Sequence, residues 1–150
     1  MVDLAINFHG APPTYPGRDP HHFAAYDRAE IYGATAHYME SKVDAGLIVG
    51  VMLTAISARS APSDYRARGE GCLRALFSTM AKDICTFGAM PIGVKWTGTK
   101  RSRKDTIVMC DMREVDDAEV RKRRAAFADL RHTFYAAPCR KLPANALIRL

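Results

Sequence analysis

An asparagine and a histidine stand two positions apart at the end of the first apolar run of the chain, and an aspartate follows 35 positions after the histidine. If residues 4–8 form a strand, Asn7 and His9 leave it on the same face, because side chains alternate along a strand. An amide can donate to a developing oxyanion, an imidazole can donate or move a proton, and a carboxylate can orient the imidazole. Asn7, His9 and Asp44 therefore suit acyl transfer to an amine, although Asn-x-His and a turn-forming aspartate also arise by chance.

The apolar pattern, and the glycines and prolines that interrupt it, predict the helices and strands that position these residues. The pattern predicts a mixed α/β order with strand 4–8, a stiff loop at 10–17, helix 20–28, strand 33–39, strand 47–56 and a long helix from Ser63 to Phe87 that ends at Gly88. Strand 47–56 is almost wholly apolar, which predicts burial on both of its faces.

The second part of the chain is organised differently. We expect a short extended segment at 91–96, a basic loop at 98–105 and a further strand at 106–112. Asp116 and Glu119 form a capping-box pattern that predicts a helix through Val120 and Phe127. The interpretation divides the chain into a catalytic half-domain at 1–94, a small basic extension at 95–135 and a tail at 136–150.

Composition narrows the class of protein. The chain has 150 residues, of which 48% are hydrophobic and 25% charged, which is typical of one globular domain and excludes a disordered chain. Its longest uncharged apolar run, 45–56, is far shorter than the roughly 20 residues of a membrane span. The acidic start does not resemble a signal peptide, so we expect a cytoplasmic protein with no membrane partner.

Cysteine and histidine spacing gives no metal signature. The four cysteines include no CxxC pair and are interpreted as reduced thiols. The histidines at 9, 21, 22 and 37 match no zinc-binding spacing, so no metal site is expected, and His21 and His22 at a helix start are expected to be solvated.

Charge is unevenly distributed along the chain. Residues 1–94 hold 8 basic and 9 acidic side chains, whereas residues 95–150 hold 14 basic and 7 acidic ones. Such a basic half can steer a phosphorylated substrate or nucleic acid, or it can be an ordinary solvated surface. A small basic nucleic-acid-binding protein therefore stays open as an alternative, although no nucleic-acid-binding motif accompanies the charge.

Three separate blocks carry a more specific pattern: NFHGAPPTYPG at 7–17, GATAHYM at 33–39 and VDAGLI at 43–48. In their order and spacing they resemble the folate-dependent formyltransferases, which act on methionyl-tRNA, glycinamide ribonucleotide or sugar nucleotides. The resemblance is strong over 4–56, weak through the long helix, and returns at about 96–127, where 100–105 looks like the sugar-nucleotide branch.

The resemblance implies a partial Rossmann-like α/β fold that lacks its N-terminal half and carries a small C-terminal α+β extension. It implies transfer of a formyl group from 10-formyltetrahydrofolate to a primary amine, with Asn7 and His9 holding the oxyanion. Asp44 would favour the charged form of His9 and move a proton through a water. It further implies that Thr35, His37 and Arg18 bind substrate and that a loop contributes backbone contacts to the folate pocket; the loop residues are Met39, Glu40, Ser41, Lys42 and Val43.

The implied partners are the folate donor and an amine acceptor, either an amino-sugar nucleotide or methionyl-tRNA, with nucleic acid involved only in the second case. Roughly the first 90 to 100 residues of the family have no counterpart before Met1, which would leave a sheet edge exposed. We therefore expect self-association or a second chain at that edge. The alternative is a truncated, catalytically incompetent formyltransferase-like module that acts in binding or dimerisation.

Overall fold

A computed structural model describes residues 5–88 and 93–134. The elements in chain order are β1 Ile6–His9, α1 Pro20–Asp27, β2 Ile31–Tyr38, β3 Ile48–Ala55, α2 Pro62–Phe87, α3 Arg103–Cys110 and α4 Asp117–Phe134. The mixed α/β class predicted from the sequence is confirmed. Among the helices in these ranges, none is both long and apolar enough to cross a membrane.

The three strands form one antiparallel sheet in the order β1-β2-β3. The register places Asn7 opposite His37 and His9 opposite Thr35. Cross-strand partners point to the same side of a sheet, so these four side chains share one face. This antiparallel pairing brings the polar residues together.

Helix α2 covers the opposite face of the sheet. Its buried residues Cys72, Leu76 and Met80 pack on Ala34 and Ala36 of β2. Helix α2 matches the predicted helix closely, and it begins one residue earlier, at Pro62. Just before it, the backbone N–H of Ala61 donates to Asp64 Oδ2 at 2.8 Å.

The second face of β3 differs from the prediction. Val51 and Leu53 are 41% and 52% exposed, so the expected burial of this strand on both faces is wrong. Helix α2 packs on one face only, and within the described ranges no helix packs on the outer part of the other. An apolar sequence alone cannot distinguish these two environments.

A segment we call the strap, residues 93–101, crosses the polar face of the sheet. Val94 and Ile48 exchange two backbone hydrogen bonds of 2.6 and 2.8 Å. Farther along, the N–H of Gly98 donates to Pro13 O at 3.1 Å and the N–H of Arg101 donates to Pro16 O at 3.0 Å. The strap therefore joins the end of the 39–47 loop to the proline-rich loop at 10–17, across the domain boundary predicted at residue 94.

The strand predicted at 106–112 is wrong, because helix α3 occupies most of these residues. Ser102 donates from its backbone N–H and its hydroxyl to Asp105 Oδ2, each at 2.7 Å, and this cap starts a helix despite the β-branched residues that follow. The predicted start of α4 is confirmed, since the N–H of Glu119 donates to Asp116 Oδ1 at 2.8 Å. The tail predicted at 136–150 lies outside the described residues.

Helix α4 packs on α1 through an aromatic cluster. Phe127 is fully buried and contacts the ring of Phe23 edge-on at 5.2 Å and the ring of His22 in a stacked arrangement at 5.7 Å. His22 Nδ1 donates to Ala126 O at 2.6 Å. The expectation that His22 is solvated is therefore wrong, because α4 covers it and supplies its hydrogen-bond acceptor.

His21, the neighbour of His22, makes folding sensitive to acid. Burial first, and the adjacent His22 second, lower the pKa of His21 to about 4. In the unfolded chain the imidazole binds its proton near pH 6.5. The free energy of unfolding is therefore highest above that pH and decreases as pH falls toward 4. We expect the free energy of unfolding to fall by roughly 1–2 kcal/mol from this residue between pH 7 and 4.5, after allowance for partial solvent screening.

Urea denaturation at both pH values measures this effect, with His21→Gln as the comparison. The variant is expected to lose less stability between pH 7 and 4.5 than the unmodified chain. An identical loss in both proteins would show that His21 does not contribute.

Candidate active site

Asn7 and His37 meet across the β1-β2 pair. The amide Nδ2 of Asn7 lies 3.1 Å from His37 Nε2, and His37 Nδ1 lies 2.9 Å from the carbonyl oxygen of Tyr38. A carbonyl only accepts, so the proton resides on Nδ1, and Nε2 accepts from Asn7. His37 is almost fully buried, and its Nε2 also lies 3.4 Å from Asp44 Oδ1, so three polar partners surround the ring.

His9 lies between a carbonyl and a carboxylate. Its Nε2 donates to Tyr15 O at 2.9 Å, and its Nδ1 is 3.6 Å from Asp44 Oδ2. When both nitrogens carry protons, each N–H faces an acceptor. Both ring nitrogens of His9 therefore lie beside oxygen atoms that can accept a hydrogen bond.

Asp44 connects the two histidines. Its side chain is 4% exposed; Oδ1 lies 3.4 Å from His37 Nε2, and Oδ2 accepts the backbone N–H of Gly17 at 2.8 Å. Asp44 has φ +46°, in the left-handed region, which aspartate tolerates better than most residues. One buried carboxylate therefore contacts both imidazoles and holds the end of the proline-rich loop.

Thr35 and Arg18 lie at the margin of this cluster. The buried hydroxyl of Thr35 donates to Ala11 O at 2.7 Å, so it holds the proline-rich loop. Arg18 is partly exposed, with its Nε 3.3 Å from Asp19 Oδ2 and its backbone N–H donating to Arg101 O. Their predicted contacts with substrate stay predictions.

The loop predicted to line the folate pocket lies directly before Asp44 and is exposed throughout; its residues are Met39, Glu40, Ser41, Lys42 and Val43. The N–H of Met39 donates to Ala5 O at 2.8 Å, and the ammonium of Lys100 donates to Val43 O. The loop is thus tied at both ends, and its role in binding stays a prediction.

Trp96 belongs to the site and was missed by sequence reasoning. Its indole contacts the rings of both His9 and His37, and its Nε1 donates to Gly46 O at 2.9 Å. The sequence offers only a lone tryptophan next to a basic segment, 52 positions after Asp44. Nothing in that spacing indicates contact with the histidines.

The cluster has the parts that acyl transfer needs. The Asn7 amide carries two N–H groups, and only one donates to His37, which leaves the other for a developing oxyanion. Over the described ranges, no three His, Cys, Asp or Glu side chains are arranged to hold a metal ion.

Comparison with known proteins points to folate enzymes. No family model matches the chain. Among curated proteins, formyltetrahydrofolate deformylase 2, mitochondrial, from Arabidopsis thaliana is 26% identical over 95 residues, which are 63% of this chain and 29% of that protein. The chain thus spans less than a third of this relative.

Solved structures give a broader match. A 4-N formyltransferase from Francisella tularensis is 25% identical with TM-score 0.66, over 82% of this chain and 52% of that one. An N-formyltransferase from Helicobacter canadensis, solved with folinic acid and dTDP-3-aminofucose, has TM-score 0.66 at 18% identity, over 81% of this chain and 46% of that one. The resemblance predicted from the sequence is confirmed, and the chain has the fold of about half of a folate-dependent formyltransferase.

Proposed function

We propose that this protein transfers a formyl group from 10-formyltetrahydrofolate to a primary amine. The observation that carries the proposal is the cluster in which His9 lies 3.6 Å from Asp44 and Asn7 contacts His37, on a chain with the fold of formyltransferases. His37 joins them through Asn7 and Asp44. The similarity of the chain to a formyltetrahydrofolate deformylase supports the same donor.

In the proposed reaction the amine nitrogen attacks the formyl carbon, and the bond from that carbon to N10 of the folate breaks. The free N–H of Asn7 stabilises the negative charge that builds on the formyl oxygen. Asp44, 3.6 Å from His9, accepts the amine proton through a water, and that proton then passes to N10. His37 holds Asn7 in position, since its Nε2 accepts the other amide hydrogen at 3.1 Å.

An amino-sugar nucleotide is the acceptor we favour. The Helicobacter canadensis enzyme was solved with such a compound, and the strap and the start of α3 are basic at Lys100, Arg101 and Arg103, which suits a diphosphate. Methionyl-tRNA is the second acceptor, supported by the 14 basic residues in 95–150. We expect this chemistry to take place in the cytoplasm.

Titration calorimetry with folinic acid tests the donor site. The unmodified chain is expected to bind it saturably, and Val43→Asp is expected to weaken binding at least tenfold, because folate is an anion and this loop lies beside Asp44. Val108→Asp makes the same change at a similarly exposed position on α3 and is the matched control. A folded chain that binds no folinic acid, or equal weakening in both variants, would contradict the proposal.

Hydrolysis is a second candidate, favoured by the deformylase relative. In that reaction water replaces the amine, and formate and tetrahydrofolate are released. Formate release from 10-formyltetrahydrofolate in the absence of any amine would support hydrolysis. Formylation of an added amino-sugar nucleotide, without formate release in its absence, would support transfer.

The remaining proposal is a catalytically incompetent module. Its exposed edge at β1 would pair with a second copy of the chain or with another protein. This proposal predicts a folded protein with no folate-dependent reaction, and sedimentation analysis would show a dimer or a complex. The matched region covers only 46% and 52% of the two solved formyltransferases, so a folded but inactive module is a separate outcome of the activity measurement.

A further inference from the structure

Trp96 contacts both histidines of the cluster. Its ring lies 5.7 Å from that of His9 at an interplanar angle of 74°, and 5.1 Å from that of His37 at 70°. Both are edge-to-face arrangements, which are the favoured geometry for ring pairs. We infer that Trp96 is a positioning residue that fixes the two imidazoles relative to Asp44; this inference rests on the function proposed above.

The indole also holds the loop that carries the carboxylate. Its Nε1 donates to Gly46 O, two residues after Asp44, at 2.9 Å. Gly46 is itself closely packed, because a Cβ there would lie 1.8 Å from Tyr38 O. Trp96 therefore fixes the backbone on one side of Asp44, while the N–H of Gly17 fixes the carboxylate on the other.

The neighbours of Trp96 distinguish this role from ordinary core packing. Within the described ranges, three apolar clusters form the core, and Trp96 belongs to none of them. It is half-buried against imidazoles and a backbone carbonyl instead. Edge-to-face ring contacts and the indole N–H bond are both directional, so they constrain the orientation of the groups they join.

The strap holds Trp96 in place from both sides. Val94 pairs with Ile48, and Gly98 bonds to Pro13, where a Cβ on Gly98 would lie 1.9 Å from Thr14 O. The tryptophan thus sits on a segment with bonds two residues before it and two residues after it. These bonds limit how far the indole can move relative to the two histidines.

The test compares Trp96→Leu with Trp96→Phe, which keeps an aromatic ring and loses the N–H. For Trp96→Leu we expect kcat to fall roughly 10- to 100-fold, because small misplacements of reacting groups have effects of this size. The KM for folate and amine is expected to stay within about threefold, since the residue orients the reacting groups and does not bind substrate. Trp96→Phe is expected to recover part of kcat.

Imidazole ¹⁵N chemical shifts in the protein without substrate give a second measurement that does not depend on activity. In Trp96→Leu we expect the shifts of His9 and His37 to change, because both rings lose the indole that packs on them and move relative to their hydrogen-bond partners, whereas the shift of His22 stays constant. Phe87→Leu, at an end of α2 that is 74% exposed, is the matched control.

Unchanged His9 and His37 shifts in a folded Trp96→Leu protein would overturn the inference. If the unmodified chain has no folate-dependent activity, the proposed function fails, and altered shifts would still support the positioning of both rings by Trp96. A loss confined to KM would show that Trp96 contacts substrate directly, and the inference would be wrong.

Discussion

Replacing Asp44 with asparagine is expected to lower the rate of formyl transfer roughly 100- to 10,000-fold, the range typical of general acid–base residues. Asparagine tolerates the left-handed backbone at φ +46°, and its amide oxygen can still accept the N–H of Gly17. The substitution therefore removes the negative charge beside His9 and His37 and leaves the loop in place. Steady-state kinetics with 10-formyltetrahydrofolate and an amino-sugar nucleotide measure the effect.

Asp83→Asn is the matched control, because Asp83 is exposed on α2, on the other side of the sheet from the cluster. It is expected to retain the full rate. Folinic acid binding and circular dichroism would establish that the Asp44→Asn protein is folded. A rate for Asp44→Asn within threefold of the unmodified chain would rule out a catalytic role for this carboxylate.

Phe127→Ala is expected to have the largest effect on stability, a loss of about 3–5 kcal/mol in the free energy of unfolding. Phe127 is fully buried and contacts the rings of His22, Phe23 and Tyr26 at 5.7, 5.2 and 6.2 Å. Truncation leaves a cavity that α1 and α4 cannot close, because these aromatic rings fill the space from three sides. Chemical denaturation followed by circular dichroism measures the loss.

Phe87→Ala makes the same chemical change at a residue that is 74% exposed. It is expected to alter the free energy of unfolding by no more than about 0.5 kcal/mol, as is usual for exposed positions. Equal losses in the two variants would mean that α4 does not depend on Phe127 for its packing on α1.

Local sequence signals were sufficient for most of the fold. Three signals each act over a few residues: the cap at Asp116, the apolar repeat of α2 and the alternation around Asn7 and His9. The structure has α4, α2 and β1 at these positions. The strand expected at 106–112 failed because the cap at Ser102 and Asp105 outweighs the β preference of Ile107 and Val108. That capping pattern was present in the sequence and could have corrected the prediction.

Long-range contacts explain the remaining differences. His22 is buried by α4, which lies about a hundred positions away in sequence, and the hydrogen bond from His22 to Ala126 spans 104 positions. Trp96 reaches His9 and His37 only because the strap crosses the sheet. No spacing rule connects such residues, so their meeting could be seen only in three dimensions.

The two loops beside Asp44 differ in how much entropy ligand binding would remove. The loop at 10–17 contains three prolines, and its carbonyls at Ala11 and Tyr15 accept hydrogen bonds from Thr35 and His9. It is therefore already ordered before any ligand arrives. The exposed loop at 39–43 has no proline and is tied only at its two ends, so the folate binding proposed for it would order the loop and lose affinity. Under the proposed function, changes at 39–43 are therefore expected to alter the affinity for folate and the rate of its release, while Asn7 and His9 stay in place on β1.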